Sequence, residues 1–89
     1  MAQAVVDPEQ LRQFAAMLKR YSQQVRESTS SLSQAQLRLA ESWRDQEHRK
    51  FVEEFEDQMK LVNKLLEASD RHVPYLLKKA EIIEQYLQR

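Results

Sequence analysis

Two histidines, His48 and His72, are the only side chains here whose ordinary chemistry spans proton transfer near neutral pH and nitrogen ligation of a metal, and cysteine is absent. Neither histidine belongs to an H-E-x-x-H pair, the spacing that sets two imidazoles on one helical face. A di-iron bundle would need Glu-x-x-His repeats, but Glu67 precedes His72 by five residues and points elsewhere on a helix. No metal site and no cofactor is expected. The adjacent acids Glu53-Glu54 and Glu56-Asp57 resemble a hydrolase pair only by count. Such a pair needs a cleft and an apolar wall to drive its pKa values apart, whereas these acids sit among polar helical positions and read as a solvated face. Arg44, Arg49 and Lys50, with Lys78-Lys79 later, read as solubilising charge rather than a contact for an acidic partner. No catalytic residue is identified and no enzyme is expected.

The elements that carry these residues are set by composition and period. The chain has 89 residues, enough for one domain over 1–89. Glycine is absent, which removes phosphate loops, the dinucleotide fingerprint and most β-hairpins. Leu, Ala, Glu, Gln, Lys and Arg dominate, and these are the strong helix formers. Asp7 before Pro8, with Gln10 placed for a capping box, predicts a helix start. Apolar residues then recur at 3-4 spacing: Leu11, Phe14, Leu18, Tyr21, Val25, Leu32, Ala35 and Leu39, with one gap at Ser28. This is the stripe of a helix packed lengthwise on another.

The pattern stops at Ser42-Trp43-Arg44-Asp45-Gln46, which predicts a turn near 42–47, with Ser42 or Asp45 as the cap of a second helix. The second stripe runs Phe55, Met59, Val62, Leu66, Val73, Leu76, Ala80, Ile83 and Leu87, with its gap at Ser69. Pro74 lies inside it, predicting a kink or a local break. The expected fold is all-α: an antiparallel hairpin of two long helices. A flanking stripe on the second helix, Leu61, Leu65, Ala68, His72, Tyr75, Ile82 and Tyr86, makes its apolar face wider than one neighbour covers. That surplus is the candidate partner interface, and a dimeric four-helix bundle is its simplest closed solution. His48 is expected to be a solvated first-turn residue, and Trp43 to plug the open end of the hairpin or meet a partner.

Charge bounds the partners. Basic and acidic residues number 14 each, which argues against nucleic acid and against an anionic membrane surface. No apolar run reaches the roughly 18 residues of a membrane span. The opening Met1-Ala2-Gln3-Ala4-Val5-Val6-Asp7 has neither a basic head nor a long apolar core, so no Sec leader is expected.

The turn resembles that of the WxG proteins, the early secreted antigenic target type exported by type VII (ESX-like) secretion systems. Trp43 falls near mid-chain, as that family's tryptophan does, and Phe51 matches the aromatic that commonly opens its second helix. The resemblance implies a helix–turn–helix hairpin that pairs into a four-helix bundle with itself or a paralogous hairpin. It implies synthesis in the cytoplasm and export to the extracellular space through a secretion ATPase, as an effector or a chaperone-like partner. The turn motif here reads Trp43-Arg44-Asp45, with Asp45 at the family's glycine position, and Arg44 between. The family's export signal sets Asp or Glu four residues after a Tyr, where Tyr75 is followed by Lys79. Export would then depend on a partner's signal. The alternative is a non-exported scaffold or adaptor of another assembly. A type III needle subunit is one such hairpin, but its loop is typically proline-rich and Ser42 to Gln46 contains no proline.

Overall fold

The computed structural model of the protein describes residues 6–88, which form two helices, α1 (Pro8–Leu39) and α2 (Gln46–Leu87). Asp7 is extended, and its carboxylate accepts the Glu9 N–H at 2.9 Å. Pro8 takes the first helical position, where a missing N–H costs nothing.

The turn is made without left-handed backbone. At the end of α1, Ala40 N–H donates to Gln36 O at 3.0 Å, Ser42 N–H to Leu39 O at 3.2 Å and Trp43 N–H to Leu39 O at 3.0 Å. The last carbonyls of α1 are thereby satisfied by the winding-down chain, and no described residue has positive φ. Asp45 is extended (φ −86°, ψ −176°), and its carboxylate accepts the His48 N–H at 3.0 Å. Asp45 is therefore the cap of α2. The Ser42 hydroxyl instead points back to Leu39 O at 3.4 Å.

α2 continues for 42 residues through Pro74, so no separate C-terminal helix forms. Proline leaves the Asp70 carbonyl without its helical donor, at a cost of about 3 kcal/mol. Val73, Leu76 and Ala80 keep their phase against α1 across that point, and their packing offsets the loss. A helix of this length is about 63 Å long, and it sets the 67 × 23 × 16 Å extent of the molecule.

Burial matches the expected series on α2. Phe55, Met59, Val62, Leu66, Val73, Leu76, Ala80 and Ile83 are buried or half-buried, and the gap residue Ser69 is buried among them; Leu87 is exposed. On α1 the seam is displaced by one residue from the expected one. Phe14, Tyr21, Leu32 and Leu39 are 44–55% exposed, and Ala35 is exposed too. The covered series is Leu11, Ala15, Leu18, Ser22, Val25, Thr29, Ser33, Gln36, Ala40 and Trp43. The two series share Leu11, Leu18 and Val25, so periodicity alone cannot separate them. Volume does: the bulky seam of α2 (Phe55, Met59, Leu66, Ile83) is met by the small side chains of α1, as interdigitating layers require.

The resulting core is thin. Among the described residues only Ala15, Leu66 and Ala80 are buried apolar side chains, and no large side chain is wholly buried. The chain exposes 7479 Å², against about 5,500 Å² for a compact monomer of its mass. Its radius of gyration is 20.0 Å, where a compact chain would have about 12 Å.

Candidate partner-binding face

The turn gathers an aromatic cluster. The Trp43 ring lies 4.9 Å from His48 and 5.7 Å from Phe51, and Phe51 stacks on Phe55 at 5.9 Å. His48 is buried rather than solvated, because it is the first seam position of α2 and Trp43 covers it. Its Nε2 faces the Gln36 amide nitrogen at 3.3 Å. Arg44 folds back so that its Nε donates to Glu41 O at 3.0 Å. Of the turn residues singled out in the sequence, Trp43 and Phe51 are in contact, Asp45 caps α2, and Arg44 secures the turn backbone. Trp43 is half-buried, covered by His48 and Phe51.

The two flanks of the hairpin differ in chemistry. Two ion pairs bridge the helices: Arg12 grips Glu84 through both guanidinium nitrogens, at 2.6 and 3.2 Å, and Arg26 pairs with Asp70. Each carboxylate is held below the usual range, first by its arginine's hydrogen bond and then, weaker, by its charge; each arginine is raised in turn. All four residues come directly after a seam residue (Leu11, Val25, Ser69, Ile83). Positions just after the seam on α1 therefore lie beside those just after it on α2, and this flank is mainly polar: Lys19, Gln23, Glu53, Glu56, Lys60, Asn63 and Glu67 share it, with Leu37 and Leu77 as its exposed large apolar side chains.

Positions that precede the seam must then meet on the opposite flank. On α1 these include Phe14, Met17, Tyr21, Leu32, Ala35 and Leu39; on α2, Phe51, Leu61, Leu65, Ala68, His72, Tyr75 and Ile82, with Tyr86 continuing the row. All are exposed except half-buried Ala68, and Leu61, Tyr75 and Tyr86 exceed 60%. The seven α2 residues proposed from sequence as an interface thus fall on one flank of the molecule. The α1 half of that flank escapes sequence reasoning, because its large side chains read as the seam. The signal that separates them is the second, unbroken 3-4 series ending on Trp43. Among the described residues no group of acids and histidines is placed to hold a metal ion, and no helix is long and apolar enough to cross a membrane.

A family model described as proteins of 100 residues with WXG matches residues 3–86. The chain belongs to this WXG100 family. In this member the third position of the motif is Asp45, which the glycine-free turn accommodates because its backbone is extended at negative φ. No curated protein and no solved structure matches the chain.

Proposed function

We propose that this WXG100 protein acts by helix pairing: its apolar flank docks on another hairpin, its own copy or a paralogue, and the pair closes as a four-helix bundle. The observation that carries this reading is the unpaired row Leu61, Leu65, Ala68, His72, Tyr75, Ile82 and Tyr86, lying on the same flank as Phe14, Met17 and Tyr21. A monomeric protein seldom leaves so long an apolar strip open, and association removes it from water at roughly 25 cal/mol per Å² before entropic costs. The chemistry is binding, with no catalytic step.

In its cell the chain is made in the cytoplasm and serves a type VII (ESX-like) system, as an exported effector or the chaperone-like partner of one. Family membership supports that setting. Lys79, where the export signal would place an acid, favours export on a partner's signal over export alone. Recognition by the secretion ATPase would then use the partner's end of the bundle.

Leu65→Glu tests the pairing, because it puts a charge at the middle of the open row. Light scattering should show the assembled mass of the wild type fall to that of one chain, with helical circular dichroism reduced. An unchanged mass would remove this face from consideration. Export is tested by comparing supernatant and lysate of the native host with and without the secretion ATPase; strict retention would leave a cytosolic bundle subunit.

A further inference from the structure

We infer that the rod carries a joint at its middle, where residues 22–28 of α1 lie beside 68–74 of α2, and that the sections of hairpin on its two sides open independently. The inter-helix ion pairs fix the register. Arg12 meets Glu84 and Arg26 meets Asp70, and the two pairs are equally spaced along both helices. Ser22 therefore lies level with Pro74, and Ser28 with Ala68.

Four features coincide at this level. Pro74 has no N–H, so the Asp70 carbonyl lacks its helical donor here, and an interior proline is one of the few local causes of bending in a helix. The seam across the joint is Ser22 and Val25 against Ser69 and Val73, so parting it exposes little apolar area. The buried Ser22 hydroxyl has no hydrogen-bond partner, so closure costs free energy at that atom. Hollows of ≈ 340 Å³ and ≈ 460 Å³ flank Arg26, and side chains that line a hollow forfeit part of their packing. The Arg26–Asp70 ion pair spans the joint, but both side chains are about half exposed and hold it shut only weakly.

The open flank changes character at the same level. Gln24, Ser28, Ala68 and His72 interrupt its large side chains. Phe14, Tyr21 and Ile82 lie on one side of the gap, and Leu32, Leu61 and Leu65 on the other. The joint thus divides the apolar flank into two patches and sets the angle between them. α2 is continuous in the closed form, where Val73, Leu76 and Ala80 hold their packing. The joint acts when that packing loosens, at a lower cost than unfolding the whole chain.

The test is native-state hydrogen exchange, read residue by residue by NMR, on the full chain and on its Pro74→Ala variant. In the wild type the joint amides should exchange faster than the interior amides of either section. The two sections should differ in opening free energy and in its dependence on denaturant. Pro74→Ala restores the missing helical bond to Asp70 and should slow exchange across the joint about a hundredfold, the factor equivalent to ~3 kcal/mol. Amides of the section that holds the turn open without breaking the helix at residue 74, so their rates should stay as in the wild type. A wild type with one common opening free energy along both helices overturns the joint. So does a Pro74→Ala variant that gains protection evenly along the whole chain, because that is the response of a single cooperative rod. A variant with no gain around residue 74 overturns it as well.

Discussion

Ser22 sits in the middle of the α1 seam, 3% exposed, with a hydroxyl that has no hydrogen-bond partner. Replacing it with alanine removes one buried oxygen and leaves the Cβ packing in place. An unsatisfied buried polar group costs about 1–3 kcal/mol. Alanine is also a better mid-helix residue than serine, by about 0.5 kcal/mol. Against this stands the small loss of contact from one atom in a layer that already tolerates Ala15 and Ala80. Ser22→Ala should therefore stabilise the protein by about 1–2 kcal/mol, which for a chain of this size raises Tm by roughly 4–8 °C per kcal/mol. The assay is urea unfolding monitored by circular dichroism, at a protein concentration where any association is complete, so that mass action does not enter. The midpoint should rise with the slope unchanged. Ser22 also lines a hollow of ≈ 340 Å³ with Lys19, Gln23, Arg26, Asp70, Val73 and Pro74. A loss of stability would refute the reasoning and would mean that an ordered water in this hollow bonds the hydroxyl.

The same geometry sets three further outcomes. Trp43→Ala removes a half-buried ring that touches His48 and Phe51; it should cost about 2 kcal/mol, less than the 3–5 of a fully buried ring, read as a lowered urea midpoint. Asp45→Ala deletes the cap of α2 and should cost about 1 kcal/mol, with Asp45→Asn retaining most of it in the same assay. Asp70 and Glu84 are held below the usual carboxylate range by Arg26 and Arg12. Their ion pairs therefore stabilise the fold above the ordinary carboxylate pKa, and that contribution is lost as pH falls through the lowered folded-state values. An acid titration of stability should show this loss for wild type and a shallower one for Arg12→Ala/Arg26→Ala, with both curves flattening in high salt.

The hairpin is legible because composition and period agree: no glycine, sustained 3-4 spacing, and an Asp-Pro start. The seam of α2 is readable from its large side chains, Phe55 to Ile83, since nothing else on that helix offers a continuous covered row. The seam of α1 is not, because hydrophobicity points at Phe14, Tyr21, Leu32 and Leu39, whereas the covered row holds Ala15, Ser22, Thr29 and Ser33. Small and polar residues mark a seam only in relation to the bulk that faces them, and that bulk lies on the other helix. His48 reads as solvated for a related reason. It holds the first seam position of α2, and the cover that completes its burial comes from Trp43 across the turn, which no helical period shows. Pro74 reads as a kink or a local break; the break does not form, because the packing of Val73, Leu76 and Ala80 that keeps the helix continuous is long-range and not visible in the sequence. The α2 half of the open flank is visible because those residues are surplus to a stripe already assigned.

Trp43 is the chain's one tryptophan, and it stands at one extremity of a molecule 67 Å long. Its emission is consequently a local gauge of the tip. It registers the tilted contacts of His48 and Phe51 with the indole, and it is blind to fraying at the far end, where Arg12 meets Glu84. Backbone circular dichroism sums over both ends. A gap between the two signals on heating would measure how evenly order is spread along a rod-like molecule, and which extremity loosens first.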